Sequence, residues 1–236
     1  MELSIVIPAY NEEKRIHDTL VKIIDYLNNR DFKYEIIVVD DGSTDNTIKI
    51  INKINGNIKI LKNKFNSGKG FSVKKGIENA KFNLVLFSDA DLATPIENLG
   101  KMIKEINKGA EIVISSRKMP DSNVVVKQPF YRQIMGKIFP LLVRLLLLPK
   151  IKDSQCGFKL FKTDVAKKIV NKQTINRFCF DVELLYIAKK RGFVIKEVPV
   201  NWIDKIGSKV NPFKDSFQML CDLIKIKYNG ILGKYA

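Results

Sequence analysis

Two aspartates one residue apart, Asp89 and Asp91, end the apolar run Leu84-Val85-Leu86-Phe87 and precede a helix-like segment. Carboxylates at the exit of a buried strand are costly unless each is paired or holds a cation. At a strand-to-turn transition, one carboxylate of such a pair can enter a ligand pocket while the other meets a divalent ion. Hard oxygen donors suit Mg²⁺ or Mn²⁺, which keep several waters and share their remaining positions with phosphates. A second acidic pair, Asp40-Asp41, closes the run Ile36-Ile37-Val38-Val39. Asn66-Ser67-Gly68-Lys69-Gly70 opens another helix-like stretch. There glycines admit close backbone approach, a helix N-terminus favours an anion, and Lys69 supplies a cation. A plain loop-to-helix turn with an exposed lysine accounts for the same five residues equally well. The letters Ala93-Thr94-Pro95 carry no nucleotide meaning: Thr94, Pro95 and Glu97 have the spacing of an N-cap, a first-turn proline and a capping-box glutamate. No GxxxxGK[ST] loop supports a Walker-type ATPase.

The elements that must position these groups alternate regularly. Apolar runs at residues 3–10, 34–41, 57–63, 83–91 and 111–117 read as strands, and the segments between them as amphipathic helices. Near-continuous Ile/Val/Leu strands separated by helices predict an α/β fold with a mostly parallel sheet covered on both faces. Ligands of such sheets gather at the carboxyl ends of the strands. Pro8-Ala9-Tyr10-Asn11-Glu12, Asp40-Asp41-Gly42-Ser43, Ser88-Asp89-Ala90-Asp91 and Ser116-Arg117 all fall there and imply one shared site. Asp40 alone has a second reading, as a helix cap working through Ser43 or Thr44. His17, the sole histidine, falls inside the first helix and is expected on the surface or packed. The second half is less regular: Thr163 and Asp181 are expected as N-caps of short helices, a strand is expected near residues 193–202, and a last helix near 214–228.

Composition bounds the rest. The 236 residues carry a formal net charge of +16, which favours anionic partners or simply marks a lysine-rich solvated surface. Cys156, Cys179 and Cys221 show no metal-ligand spacing and suit a reducing compartment, with Cys156 expected as a small buried residue. The N-terminus reads as a strand and not as a signal peptide. The apolar run Ile138–Pro149 is shorter than the roughly 20 residues a membrane span needs, and it contains Arg144. Nucleic-acid binding would need aromatics interleaved with Lys/Arg; here the aromatics fall mainly in apolar segments, so nucleic acid is not expected as a partner.

Together, IVIPAYNEE, IIVVDDGSTDNT, NSGKG, SDAD and SSR, in this order over residues 3–117, resemble the family-2 glycosyltransferases of the GT-A fold. The resemblance implies a three-layer sandwich that transfers a sugar from a nucleotide donor with inversion and uses Mg²⁺ or Mn²⁺. It implies that Pro8, Ala9, Tyr10, Asn11, Glu12, Asp40, Asp41 and Lys69 embrace the nucleotide with Asp89 and Ala90. Asp89 would lie beside the ribose and diphosphate, and Asp89 and Asp91 would serve the metal.

The segments DSQCGFKLF, FCFDVELLYIAKKRG, EVPVNWIDKIGSKV and DSFQMLCDLIKIK extend the resemblance to the polyprenyl-phosphate sugar synthases over nearly the whole chain. Ala93 stands where the mannose-type branch has a metal-serving glutamine, which favours the glucose-type branch. The implied donor is UDP-glucose and the implied acceptor dolichyl or another polyprenyl phosphate. The resemblance further implies that Arg117 and Arg132 bind the acceptor phosphate, and that Asp153 and Gln155 face the sugar or diphosphate. Lys209, with Lys205 and Ser208, would close over the donor phosphates. For Arg132, a surface ion pair or a snorkelling side chain remains open. One domain is expected, with residues 1–117 holding the donor and 118–236 the acceptor and the membrane.

A phosphomonoester is already anionic near neutral pH, its second pKa being about 6, so the lipid phosphate needs positioning more than a strong base. Gln133, Lys137, Pro140 and Arg144 recur at helical spacing among Phe, Ile and Leu, a pattern able to lie on a lipid interface. Lys150, Lys152, Lys225 and Lys227 would hold it to anionic headgroups. A core helix or a dimer interface is the alternative. The expected localisation is cytoplasmic, peripheral on the inner face of a membrane.

Overall fold

The computed structural model describes residues 1–125, 130–203 and 214–236; of 125, 130–137 and 214 only the backbone is described. In chain order the elements are β1 (Glu2–Ala9), α1 (Ile16–Asn28), β2 (Lys33–Asp40), α2 (Thr47–Ile51), β3 (Ile58–Lys62), α3 (Lys69–Glu78), β4 (Leu84–Ser88), a 3₁₀ turn (Ile96–Asn98), α4 (Leu99–Asn107) and β5 (Ile112–Ser116). There follow β6 (Asn123–Val125), α5 (Phe130–Leu146), β7 (Phe158–Lys162), α6 (Thr163–Val170), α7 (Phe180–Lys190), β8 (Ile195–Pro199), β9 (Asn201–Ile203) and α8 (Lys214–Ile231).

Seven strands form one sheet in the order β3-β2-β1-β4-β7-β5-β8, and β6 pairs with β9 separately. All neighbours in the large sheet run parallel except at β7, which is antiparallel to both β4 and β5. The period-2 alternation of strands divides the apolar side chains between two cores. Leu3, Ile5, Ile7, Ile36 and Val38 pack with α1 and α4 on one face. Val6, Ile37, Val39 and Phe87 pack with residues of α3, α6 and α7 on the other. Each fully buried aliphatic side chain contributes about 1.5–3 kcal/mol relative to exposure, so a one-residue slip of β1 would exchange its whole buried set.

Three local expectations are corrected. Thr94, Pro95 and Glu97 form no capping box: Pro95 has the extended ψ of 143°, the regular helix starts at Leu99, and no side chain caps it. The Thr94 hydroxyl instead lies 3.5 Å from Cys156 Sγ. Asp181 is not an N-cap; Cys179 holds that position, and the buried Asp181 carboxylate pairs with Lys159. Thr163 is the first residue of α6, preceded by Lys162 as its cap. The division at residue 117 does not divide the sheet, because β7 and β8 from the second half complete it. β7 was not anticipated: its second residue is a lysine, Lys159, which is fully buried.

Candidate active site

The carboxyl ends of β1, β2, β4 and β5 meet on one edge of the sheet, and the register sets which loops touch. Ala9 pairs with Asp40, so the β1 and β2 loops leave side by side. They are laced together: Asn11 N–H donates to Ser43 Oγ (3.0 Å), Thr44 N–H to Asn11 Oδ1 (2.8 Å) and Glu12 N–H to Thr47 Oγ1 (2.7 Å). Asn11 holds the left-handed conformation, φ +52°, which asparagine tolerates better than most residues. Pro8 and Ala9 are buried at the strand end, and Tyr10 is half-buried. The Glu12 carboxylate accepts two hydrogen bonds from Arg15, each 2.8 Å.

Asp40 and Asp41 serve the loops that follow them. The Asp40 carboxylate accepts the Ser43 N–H at 3.1 Å, a local turn through the residue its helix-cap reading named. The Asp41 carboxylate accepts Asn63 Nδ2 (2.7 Å), Ser67 N–H (2.9 Å) and Gly68 N–H (2.9 Å). Asp41 therefore builds the loop that delivers Lys69 to the start of α3. Gly68 is required there: φ is +107°, and a Cβ would stand 2.3 Å from the Asn176 carbonyl oxygen.

Lys69 Nζ lies 2.7 Å from Asp89 Oδ1, and that oxygen is buried without an aligned hydrogen bond. Asp91 receives the Ala93 N–H at 3.0 Å, and Arg15 stands 3.9 Å away. Burial pushes the Asp91 carboxyl above its ordinary range, and the neighbouring Asp89 pushes it the same way. The turn carries backbone strain at Leu92, φ +47°, a conformation costly for a branched side chain. It is held from three sides. The Thr19 hydroxyl donates to the Ala90 carbonyl (2.8 Å), Asp89 N–H donates to the Gly157 carbonyl (3.0 Å), and Ile203 N–H donates to the Ala93 carbonyl (3.0 Å). The last bond seats β9 on the turn.

Beside this group, Arg117 leaves β5 and meets Asp153. Its backbone N–H, Nε and Nη2 donate to the Asp153 carboxylate at 3.0, 2.7 and 2.9 Å. Despite the burial that opposes it, the guanidinium holds the Asp153 carboxyl down to about 2. Gln155 N–H also donates to Asp153, and the Glu197 carboxylate accepts the N–H groups of Lys152 and Asp153. The Arg117 guanidinium stands 5.4 Å from the centroid of Trp202.

The structure thus brings Pro8 to Glu12, Asp40, Asp41, Lys69, Asp89, Ala90, Asp91, Arg117, Asp153 and Gln155 to one edge. Lys205, Ser208 and Lys209 lie outside the described residues, as do the side chains of Arg132, Gln133 and Lys137. His17 is exposed and pairs with Asp18, away from the site. Cys156 is buried, its thiol pushed up to about 11 by that burial. Sequence reasoning missed Arg15, Trp202, Lys159 and Gly157. Gly157 had a signal only in hindsight, since a Cβ there would stand 2.0 Å from Asp89 Oδ2.

The matching family model is that of glycosyl transferase family 2, over residues 4–170. The chain belongs to glycosyl transferase family 2. It is a glycosyltransferase, and its sheet is the GT-A arrangement. A dolichyl-phosphate beta-glucosyltransferase of Dictyostelium discoideum is 40% identical over 246 residues, covering 98% of this chain and 75% of that protein. The human protein of the same name is 34% identical over 250 residues, covering 99% and 77%. Among solved structures, glucosyl-3-phosphoglycerate synthase from Mycobacterium tuberculosis in complex with UDP superposes with a TM-score of 0.70 at 17% identity, covering 96% of this chain and 80% of that one. The same enzyme with Mn²⁺, UDP-glucose and phosphoglyceric acid gives 0.71 at 17% identity, with the same coverage.

Proposed function

We propose that this chain transfers glucose from UDP-glucose to dolichyl or a related polyprenyl phosphate, with inversion at the sugar carbon. The observation that carries the reading is the pair Asp89 and Asp91. Two carboxylates share one strained turn: Asp89 meets Lys69 at a single oxygen, and Asp91 has its carboxyl pushed up by burial and by the neighbouring Asp89. The donor set fits a hard divalent cation. Among the described residues no third His, Cys, Asp or Glu joins it, so substrate phosphate and water would fill the other positions of Mg²⁺ or Mn²⁺. A bound cation would offset charge on the departing diphosphate. The relatives named dolichyl-phosphate beta-glucosyltransferase and the Mn²⁺–UDP-glucose complex of the structural neighbour support donor, acceptor and metal alike.

In this reading the loops of Pro8 to Glu12 and of Asp40 and Asp41 hold the nucleoside. Lys69 holds Asp89 and faces the diphosphate, and Ala90 and Gln155 line the same edge, with Lys209 closing over it. Arg117 meets the acceptor phosphate with the guanidinium edge that Asp153 does not use, joined by Arg132. Asp153 acts through Arg117, fixing its fork. The phosphate attacks the sugar carbon directly, so the chain supplies orientation and charge and no strong base.

The lipid must come from a bilayer. Phe217, Leu220, Ile224, Tyr228 and Ile231 form an exposed stripe along α8, beside exposed Ile138, Leu141 and Leu145 on α5. Lys225, Lys227, Arg144 and Lys150 border them. Among the described residues no helix is long and apolar enough to cross a membrane. This face would lie on an anionic membrane surface, so the second half would serve acceptor and membrane while the first holds the donor. The test is incubation with labelled UDP-glucose, Mn²⁺ and a short polyprenyl phosphate. Lipid-linked glucose is expected. Transfer from GDP-mannose and not from UDP-glucose would overturn the donor assignment.

A further inference from the structure

Behind the donor carboxylates lies a second charged pair that the reaction does not use directly. Lys159 is fully buried on β7, directly across from Phe87 in the β4–β7 register. Its Nζ donates to the Asp181 carboxylate on α7 and, at 2.7 Å, to the Cys156 carbonyl. Its neighbours along the strand, Phe158, Leu160 and Phe161, are apolar and fully or almost fully buried. A buried ion pair is weak evidence for stability, since replacement by apolar side chains of similar volume is often neutral or stabilising. A pair kept in such surroundings calls for another reason.

The geometry supplies one. Lys159 and Lys69 point at the same ring: their Nζ atoms lie 5.6 and 5.4 Å from the Phe87 centroid. Asp181 is close enough for its field to act on both ammonium groups. The charges therefore alternate from the core to the site: Lys159, Asp181, Lys69, Asp89. A backbone route runs alongside. Lys159 fixes the Cys156 carbonyl, the next residue is Gly157, and the Gly157 carbonyl accepts the Asp89 N–H. Gly157 also packs so closely on Asp89 that no side chain fits between them. Phe180, next to Asp181, packs edge-on against Phe87 at 5.7 Å and against Gly70, next to Lys69.

We propose that Lys159 and Asp181 are positioning residues for the donor site, setting the place of Asp89 through the Cys156-Gly157 backbone and the place of Lys69 through the alternating charges. The inference rests on the donor-site reading above. Partners of this kind, one step removed from a metal or phosphate site, typically alter affinity by about 10–100-fold when removed.

The test uses Lys159→Met/Asp181→Leu, which removes both charges and leaves comparable volume, and Lys159→Gln/Asp181→Asn, which keeps a neutral hydrogen-bonding pair. Thermal midpoints and calorimetric titration of UDP in the presence of Mn²⁺ are measured on the intact chain. Wild type is expected to bind, and the apolar variant to keep its midpoint while its affinity falls about 10–100-fold, with the neutral polar pair falling less. If the apolar variant fails to fold, the neutral polar pair alone must show a weakened affinity at an unchanged midpoint. A folded apolar variant, or in its absence a folded polar variant, that binds as wild type does would overturn the inference. So would affinity lost only in step with the thermal midpoint. Failure of wild type itself to bind UDP with Mn²⁺ would instead sink the donor-site reading, and this inference with it.

Discussion

Asp153 and Asp91 sit at the same end of the sheet, each near an arginine, and the fold treats them differently. Asp153 takes three hydrogen bonds from Arg117 and one from Gln155, and its carboxyl is held at about 2. Asp91 takes one backbone hydrogen bond, keeps its arginine at 3.9 Å, and has its carboxyl pushed up by burial and by Asp89. A carboxylate whose partners the fold provides belongs to the scaffold. One that is buried beside another carboxylate, with a single backbone hydrogen bond, is suited to a cation from outside. The same contrast separates Asp41, whose carboxylate takes three hydrogen bonds from the loop before Lys69, from Asp89, whose carboxylate meets the one ammonium of Lys69.

The contrast breaks most visibly through stability. Asp153→Ala leaves the Arg117 guanidinium without its partner and is expected to cost about 3 kcal/mol in urea unfolding, as for other broken buried pairs. Asp91→Asn is expected to leave stability unchanged or improved. The reverse order would mean that the two roles are exchanged.

A smaller effect is expected at the junction of the two halves. Gly157→Ala puts a methyl group against Asp89, and overpacking of this kind costs about 1–3 kcal/mol. UDP affinity measured with Mn²⁺ should fall, and an unchanged affinity would show that the Asp89 contact with β7 is not needed for the donor.

Acidification sharpens the comparison through opposite signs. Asp153 has its folded pKa lowered from 3.8 to about 2. Its contribution, about 2 kcal/mol, is present above the unfolded value and is lost as pH falls between the two. The folded value of Asp91 is raised, so it costs stability at neutral pH, and that cost is relieved as pH falls through the raised value. Unfolding free energies measured from pH 7 to pH 2 should therefore show a shallower acid loss in Asp153→Asn. In Asp91→Asn the loss should be steeper than in wild type.

Much of this was legible in the sequence, and what was not has physical reasons. β1, β2, β4 and β5 announced themselves because each is buried on both faces along most of its length and reads as a near-continuous apolar run. The strand-end clusters followed from where such sheets bind ligands. β7 escaped because Lys159, its second residue, has the residue type of a surface, and only the fold shows Asp181 waiting for it. Asp181 read as a cap for the same reason, being an acid in a helix's first turn. Thr94 and Pro95 had the spacing of a cap, but the hydroxyl turned to Cys156, a partner 62 residues away. The pairing of Arg117 with Asp153 spans 36 residues and leaves no local signature.

The central claim is that Asp91 is the carboxylate a divalent ion completes when the nucleotide binds. Its most direct test is the unfolding free energy of wild type and Asp91→Asn, each with Mn²⁺ alone, UDP alone, and both together. At ligand about 100 times its dissociation constant, wild type should gain about 2.7 kcal/mol with both present, and Asp91→Asn should lose most of that gain. An equal gain in the two proteins would contradict the claim.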